Sequence, residues 1–262
     1  MKIVWLSDLH LVSRGGLLYG RDPEKQLQVA IDNINTHHAD ATYCVLSGDL
    51  VDDPGTEVYN LLAEKLSGLK IPYLPMVGNH DDREMVKACL SVPELNSGSF
   101  IQYVVMAGGW RLIMLDTVKS GQMDGEICDE RLQWLRAELE KDQKSPTLIF
   151  SHHPLLPLNL PMQDQESLKS GEQLLSVLQA ANNVRHWCFG HVHRPVSGSF
   201  DNLGFTAMQS IAIQAPLPYP AWDWESFRPA DELPAFGIIH LARKSAVVHF
   251  QQFGCNSVLT EG

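Results

Sequence analysis

The chain has 262 residues, of which 44% are hydrophobic and 19% are charged, and this composition is typical of a globular protein with a large core. Its formal net charge of −11 disfavours a nucleic-acid polymer as the main partner, because proteins that bind such polymers present basic faces. No apolar run approaches the roughly 20 residues of a membrane span, and a strand-forming run starts at residue 3, so neither a membrane segment nor a signal peptide is predicted.

Five apolar, strand-forming runs along the chain are each followed directly by a polar motif. The runs cover residues 3–6, 43–46, 73–77, 148–150 and 187–189. The motifs that follow them are Asp8-Leu9-His10, Gly48-Asp49, Gly78-Asn79-His80-Asp81, His152-His153 and Gly190-His191-Val192-His193. Buried parallel strands have such apolar runs, and sites in open α/β sheets lie beyond the carboxyl ends of the strands. We therefore expect the five motifs to meet at one sheet edge.

The stretches between these motifs are amphipathic and predict helices. Helical spacing of apolar residues occurs over 26–35 and 56–69, again at Leu132, Leu135 and Leu139, and again at Leu174, Leu175 and Leu178. Asp129 is the predicted N-cap of the third helix. Because strands and helices alternate, we predict a sheet built from βαβ units.

The remaining segments predict further strands and two long loops. Residues 100–116 form a predicted hairpin that turns at Gly108-Gly109, and short strands are expected at 196–200, 205–209, 237–241 and 246–251. The predicted fold class is therefore α/β, a single domain over 1–262 in which two mixed sheets form a sandwich covered by helices. The segment 154–167 and the aromatic, Pro-rich segment 215–234 do not fit this core. For 215–234 we weigh equally a loop packed on the core and a lid or subunit contact.

The residue types in the five motifs predict a metal site. Asp8 and His10 are two residues apart, so at an extended strand end their side chains point the same way and can bind one ion together. Asp49 has two carboxylate oxygens, which is enough to bridge two ions. One division gives the first ion Asp8, His10, Asp49 and His193, and the second ion Asp49, Asn79, His152 and His191.

The chemistry of this ligand set limits which metal ions are expected and which reaction they would support. Carboxylates, an amide and imidazoles without thiolates suit two divalent ions among Mn²⁺, Fe²⁺, Co²⁺ and Zn²⁺. Two ions about 3.5–4 Å apart would hold a bridging water, lower its pKa and clamp a phosphoryl group for in-line attack. Gly48, Gly78 and Gly190 precede ligands, where the backbone needs unusual dihedral angles or close approach.

The motifs, in this order, resemble those of the calcineurin-like metallophosphoesterases across roughly residues 2–195. The stretches 13–20, 78–83 and 152–158 make the chain most similar to the bacterial class III cyclic-nucleotide phosphodiesterases and the related glycerophosphodiesterases. This resemblance implies the αββα sandwich of that family. It also implies the same division of ligands between two ions.

The resemblance implies roles for two residues outside the ligand set and a second role for one ligand. His80 is expected to contact the substrate phosphate and to protonate the leaving oxygen, without binding metal. Asn79, a metal ligand, is expected to contact substrate as well. Asp52 stands where an Asp of the phosphoprotein-phosphatase branch orients the equivalent of His80, so we expect it to orient His80 here.

Several other residues near the motifs are weaker candidates. Arg14 and Tyr19 lie in the loop after the first strand and are candidate substrate contacts, with a structural role as the alternative. Arg83 and Arg194 closely follow ligand motifs, and either could balance phosphate charge. His153 should point away from its neighbour and is expected to be structural.

These observations predict a hydrolase of small phosphodiesters in which a metal-bound hydroxide attacks phosphorus. The 3′,5′-cyclic nucleotides are the first expected substrates, and glycerophosphodiesters or alkyl phosphodiesters are the alternative. A non-catalytic scaffold is the hypothesis from another class, and the complete ligand set disfavours it. The five scattered cysteines, mostly inside apolar runs, favour reduced core residues in a cytoplasmic protein. No membrane partner is expected, and the segment 215–234 leaves a homo-oligomer open.

Overall fold

The computed structural model describes residues 1–95, 98–243 and 245–254, and it contains two β-sheets packed face to face with helices on both outer sides. The first sheet consists of β1 (Lys2–Leu6), β2 (Tyr43–Leu46), β3 (Tyr73–Pro75), β10 (Ala235–Ala242) and β11 (Ser245–Gln252). The second consists of β4 (Tyr103–Ala107), β5 (Trp110–Met114), β6 (Thr147–Phe150), β7 (Val184–Phe189), β8 (Val196–Phe200) and β9 (Leu203–Ala207). The helices are α1 (Pro23–His37), α2 (Thr56–Leu66), α3 (Arg83–Cys89), α4 (Asp129–Lys141) and α5 (Gly171–Ala180).

Both sheets are mixed, as predicted. The strand orders are β11-β10-β1-β2-β3 and β4-β5-β6-β7-β9-β8. The strands β1, β2 and β3 run parallel, as do β5, β6 and β7, whereas β10 joins β1 antiparallel and β4 joins β5 antiparallel. The predicted sandwich of two mixed sheets flanked by helices is confirmed.

Side chains along the strands of the second sheet point alternately to its two faces and so contribute to two cores. Leu148 and Phe150 of β6 face the first sheet, where the ring of Phe150 packs edge-on against Trp5 of β1 at a centroid distance of 5.8 Å. Ile149, which lies between them, points outward and packs with Leu135 of α4. Because successive side chains of a strand point to opposite faces, one apolar run fills both the layer between the sheets and the layer under the helices.

The five motif-bearing strands are divided between the two sheets, so the expectation of one sheet edge is wrong. The strands β1, β2 and β3 belong to the first sheet, and β6 and β7 belong to the second. The hairpin of β4 and β5, which turns at Gly108 and Gly109 as predicted, starts a new sheet, and β6 then pairs with β5 instead of β3. Apolar runs show that strands exist, but their order depends on pairings that the runs do not encode. The carboxyl ends of all five strands still meet at one end of the sandwich.

One helix and one N-cap differ from the prediction. Helix α3 was not predicted, because it has seven residues and buries only Val86, too little for a helical period to show. It begins after Asp82, whose carboxylate accepts a hydrogen bond from the Met85 amide at 2.9 Å. Helix α4 has Cys128 as its N-cap, and the predicted cap, Asp129, lies in the first turn.

No described helix combines the length and apolar character that crossing a membrane requires. Cys44 and Cys188 are buried, Cys89 and Cys128 are half-buried, and all four are free thiols. Cys255 lies outside the described residues.

A buried carboxylate connects the two helical layers next to the site. Asp116, two residues after the end of β5, is fully buried and accepts two hydrogen bonds from Arg83 of α3, at 2.6 and 2.7 Å. Arg131 of α4 lies 3.5 Å from the same carboxylate and donates to the carbonyl oxygens of Asp116 and Val118. Removing one partner of such a buried ion pair leaves the other partner with an uncompensated charge.

We expect Asp116→Asn to lower the free energy of unfolding by about 3 kcal/mol, because Arg131 would keep its charge in a buried position without its carboxylate. Urea denaturation measures this loss. Glu84→Gln is the control, since Glu84 forms an exposed pair with Lys87 and its removal should change stability by less than about 0.5 kcal/mol. Equal effects of the two substitutions would contradict the structural role of Asp116.

Candidate metal centre

Seven side chains predicted as metal ligands converge where the five strands end. The ligands are Asp8, His10, Asp49, Asn79, His152, His191 and His193. Five of them, Asp8, His10, Asp49, His191 and His193, have positive φ angles between 40° and 69°. Non-glycine residues rarely adopt this left-handed conformation, and it concentrates at functional sites. The turn it produces directs successive ligands into the same space.

The first group of ligands is the predicted one: Asp8, His10, Asp49 and His193. One ligand atom from each of the four lies within 4.8 Å of those of the other three. His193 Nε2 is 3.5 Å from Asp8 Oδ1, and His10 Nε2 is 3.5 Å from Asp49 Oδ2. The Nε2 atoms of His10 and His193 are only 3.0 Å apart, so two imidazole nitrogens face the same point.

The second group surrounds the amide of Asn79. Its Oδ1 lies 3.1 Å from His152 Nε2 and 3.0 Å from His191 Nδ1. Asp49 Oδ2 is 3.3 Å from His152 Nε2, so the oxygen that faces His10 in the first group also faces the second group. Asp49 therefore lies between the two groups, at the position that a ligand bridging two ions would occupy.

The hydrogen bonds around the ligands fit metal ions. Asp8 Oδ2 is buried and has no hydrogen-bond partner, which is costly unless a cation is nearby. His152 Nδ1 donates to the carbonyl oxygen of Ser47 at 2.9 Å, and this bond leaves Nε2 as the nitrogen that is directed at the centre. His10 Nδ1 is held by Asp52 Oδ1 at 3.0 Å in the same way. Metal-binding histidines usually have their outer nitrogen fixed like this.

The charges of the ligands influence one another strongly. Burial alone would raise the pKa of Asp49, but the neighbouring His152 and His10 keep it well below its usual value. Burial alone would lower the pKa of His152, but the Asp49 carboxylate raises it to about 9. A cation that replaces the proton of His152 would satisfy the same carboxylates, so metal binding should release protons.

Asp81 and Gly78 fix the position of Asp49. The Asp81 carboxylate accepts hydrogen bonds from the amides of Leu50, at 3.1 Å, and Gly78, at 2.8 Å, and from the hydroxyl of Tyr59. These bonds join the loops after β2 and β3. A Cβ atom at Gly78 would lie 2.8 Å from Asp49 Cγ, so only glycine allows the close approach that the sequence predicts.

His80 and Asp52 both lie beside the ligands, but their contacts differ from the expected ones. His80 Nδ1 donates to the backbone carbonyl oxygen of Asp52 at 2.7 Å, and its ring packs edge-on against His10. The Asp52 carboxylate, which the resemblance assigns to His80, instead contacts His10 Nδ1. Burial would lower the pKa of His80, but Asp49 and the Asp52 carbonyl raise it above its usual value.

Tyr19 and Arg14, the two residues of the loop after β1 that are predicted to contact substrate, lie in different cavities. Tyr19 lines the cavity over the ligands, with its ring 5.3 Å from that of Phe227. Arg14 lies outside that cavity, where its guanidinium pairs with Glu24 at 3.2 Å and with Glu64 at 2.7 Å. Both of its charge partners thus place Arg14 in a neighbouring cleft, and its role as a substrate contact stays a prediction.

Three further candidates are engaged by the protein itself. Arg83 is bound to Asp116, and Arg194 donates to the Ala215 carbonyl oxygen and to Glu232, so neither cation faces the ligands. His153 has Thr117 Oγ1 at 2.9 Å from Nδ1, while its Nε2 donates to the Met123 carbonyl oxygen. Both of its ring nitrogens are used, as expected for a structural histidine.

The cavity over the ligands has a volume of about 290 Å³, and the sequence interpretation missed part of its wall. Gln163 and Glu166 line it from the segment 154–167, and Ala215, Trp224 and Phe227 line it from 215–234. Glu166 Oε2 is 4.0 Å from His191 Nε2, and burial raises the pKa of its carboxyl group. The only sequence signal for these residues was that both loops are unusually long.

Comparisons of sequence agree with the motifs. Residues 1–195 match the calcineurin-like phosphoesterase family. A protein named "probable cyclic nucleotide phosphodiesterase" from Rhodopseudomonas palustris is 34% identical over 218 residues, which cover 82% of this chain and 79% of that protein. A "probable glycerophosphodiester phosphodiesterase" from Arcobacter nitrofigilis is 31% identical over 197 residues, which cover 74% of this chain and 72% of that protein.

Comparisons of structure agree on the fold. A dimetal phosphatase from Danio rerio superposes with a TM-score of 0.75 at 16% identity and covers 96% of both chains. A purple acid phosphatase from yellow lupin seeds gives a TM-score of 0.71 at 14% identity, over 96% of this chain and 51% of that one. At these identities the likeness is one of fold.

We expect Mn²⁺ or Zn²⁺ to raise the melting temperature of chelator-treated protein by roughly 5–10 °C at saturating concentration, because cations would satisfy the buried carboxylates. Asp49→Asn should remove most of this increment, since Asp49 lies between the two ligand groups. Differential scanning fluorimetry measures the shift. Asp53→Asn, an exposed neighbour, should retain it. The same increment in Asp49→Asn as in the unaltered protein would argue against Asp49 as a ligand.

Proposed function

The chain belongs to the calcineurin-like phosphoesterase family, and we propose that it hydrolyses small phosphodiesters, with 3′,5′-cyclic nucleotides as the first substrates, at a centre of two divalent ions. Members of this family hydrolyse phosphoesters, and the chain is such an enzyme. The number of ions and the substrate belong to the proposal.

One observation supports the binuclear centre above all others. The oxygen Asp49 Oδ2 faces His10 at 3.5 Å on one side and His152 at 3.3 Å on the other, with a separate set of ligands around each histidine. A carboxylate oxygen shared by two complete ligand sets is what a pair of adjacent ions needs. Two ions bound there would supply a water of lowered pKa and positive charge for the phosphoryl oxygens.

Two further residues would act on the substrate. His80 is fixed through Nδ1 by the Asp52 carbonyl oxygen, which leaves Nε2 to contact the phosphate and to donate a proton to the leaving oxygen. The side chain of Asp52 holds His10 in position, so we propose that Asp52 supports catalysis by positioning a ligand. Asn79 would contact both ion and substrate.

The charge of the cavity supports diesters over monoesters. The described residues that line it include the carboxyl groups of Asp49, Asp52 and Glu166 and neither a lysine nor an arginine. A phosphomonoester, with a second pKa near 6, carries close to two negative charges at neutral pH, whereas a diester carries one. Beyond the two proposed ions, no lysine or arginine of the lining would offset the additional charge of a monoester, and the Glu166 carboxylate would repel it.

The names of two relatives support two classes of diester as substrates. One relative is named for cyclic nucleotides and another for glycerophosphodiesters, so the latter class is the second candidate. The cavity is lined from both parts of the chain, by His80 and Glu166 within residues 1–195 and by Trp224 and Phe227 beyond them, which supports one domain over 1–262. A cytoplasmic location is part of the proposal and is supported by the four free cysteines.

We expect hydrolysis of bis(p-nitrophenyl) phosphate to exceed that of p-nitrophenyl phosphate at least tenfold with Mn²⁺ present, because the cavity lining offers no lysine or arginine for the second negative charge of the monoester. Excess chelator should abolish both activities. Release of p-nitrophenolate, followed by a panel of cyclic nucleotides and glycerophosphodiesters, tests the proposal. A larger rate on the monoester, or a rate that chelator does not affect, would contradict it.

His80→Ala should lower kcat on a cyclic nucleotide by about 10²- to 10⁴-fold, because the alkoxide leaving group needs a proton. On bis(p-nitrophenyl) phosphate the loss should be much smaller, since p-nitrophenolate leaves without protonation. The metal content, measured by atomic emission, should stay unchanged. His37→Ala, at the exposed end of α1, is the control with no expected effect. Equal losses on both substrates would refute the proton-donating role.

A further inference from the structure

We propose that three aromatic residues of the cavity, Tyr19, Trp224 and Phe227, form a binding site for the base of a nucleotide substrate. We call these three residues the aromatic wall. The inference rests on the proposed function and deepens it, because it selects nucleotide phosphodiesters over glycerophosphodiesters. It concerns residues that stand apart from the predicted ligands and from His80.

The aromatic wall is built around one buried ring. Phe227 is only 6% exposed, and its centroid lies 5.3 Å from that of Tyr19 and 5.8 Å from that of Trp224. Tyr19 and Trp224 are 59% and 49% exposed, although all three rings line the cavity that contains the metal ligands. Two large rings are thus held at the cavity with much of their surface open to a ligand.

The segment that carries Trp224 and Phe227 is fixed on the protein. Phe227 packs with Ile213, Ala215 and Trp222 in a small apolar cluster. Arg21 donates to the Ala230 carbonyl oxygen at 2.7 Å, and this contact closes the segment onto the loop that carries Tyr19. The rings are therefore positioned before any ligand binds, which lowers the entropic cost of stacking a base on them.

The aromatic wall is also connected directly to the metal ligands. The Ala215 amide donates to the carbonyl oxygen of His193 at 3.1 Å, so the segment starts at a ligand motif. A phosphate at the metal ligands and a planar group at the wall would occupy one continuous cavity. A cyclic nucleotide has a phosphodiester and a base joined by one sugar, which matches this arrangement.

The chemistry of the wall favours a base over a glycerol group. Aromatic rings bind planar π systems by stacking, and each base stacked on such a ring typically gains about a tenfold increase in affinity. Glycerol and ethanolamine groups have no planar face. Apolar rings exposed in a cavity that also holds polar catalytic groups are the usual composition of a small-molecule site.

Binding of reaction-product analogues tests this inference separately from catalysis. Adenosine 5′-monophosphate and ribose 5-phosphate carry the same phosphomonoester and sugar, so the ratio of their dissociation constants reports the base alone. In Mn²⁺-loaded protein, isothermal titration calorimetry should show adenosine 5′-monophosphate binding about tenfold more tightly or better.

The variants should distinguish a loss of base stacking from a general loss of ligand binding. Trp224→Ala should bring the ratio close to one without changing the affinity for ribose 5-phosphate, and Tyr19→Ala should reduce it. Trp224→Phe should retain most of the ratio, because it keeps a ring. The matched control is Tyr219→Ala, since Tyr219 belongs to the same segment, is 83% exposed and does not line the cavity.

The inference would be overturned by a ratio near one in the unaltered protein, or by a ratio that survives both Trp224→Ala and Tyr19→Ala. A parallel loss of ribose 5-phosphate binding in Trp224→Ala would also refute it, since the ring would then act through the phosphate site. Absence of diester cleavage with a Trp224-dependent ratio would support the base site and refute the proposed function. Cleavage of both diester classes with a ratio near one would support the proposed function and refute the base site.

Discussion

The left-handed backbone at the strand ends is the constraint on which the rest of the molecule depends. Asp8, His10, Asp49, His191 and His193 all have positive φ, at a typical cost of about 1–3 kcal/mol each. Such a conformation persists only when the surroundings determine it strongly. Here hydrogen bonds between loops do so, among them the His191 amide donating to Asp8 Oδ1 at 2.9 Å and the Asp8 amide donating to the Gly48 carbonyl oxygen at 3.1 Å. The fold itself therefore brings together the side chains that could hold metal ions.

The sandwich explains why so many strained turns can coincide. Three strands of one sheet and two of the other end at the same end of the molecule, so ligands arrive from both sides of the central core. Tight packing between the sheets, as between Trp5 and Phe150, holds the two sets of strand ends in register. The hydroxyls of Ser7 and Ser47 extend this coupling into the site, since Trp5 Nε1 donates to Ser47 Oγ, and His152 is held by the Ser47 carbonyl oxygen.

The sequence predicted what depends on local patterns. Apolar runs followed by polar motifs indicated the strands and the polar residues at their ends, which include Asp8, Asp49, Asn79, His152 and His191. The alternation of strands with helices indicated the fold class. The sequence did not predict that these strands lie in two sheets, because strand order is decided by long-range pairing. The contacts of Arg14 and Asp52 were missed for a related reason: a position in a motif does not show which neighbour from a distant segment, such as Glu64 or His10, a side chain will meet.

The cavity combines two parts of the chain with different physical tasks. Residues 1–195, which match the family, contribute the ligands and His80, where small displacements would disturb the geometry of the reacting groups. The segment after them contributes Trp224 and Phe227, whose rings line the cavity and present surface instead of fixed atoms. Stacking tolerates change in the bound group more readily than coordination does. The segment is joined to the ligand motif by a backbone hydrogen bond, from the Ala215 amide to the His193 carbonyl oxygen, so the side chains at positions 224 and 227 can change while this contact is kept.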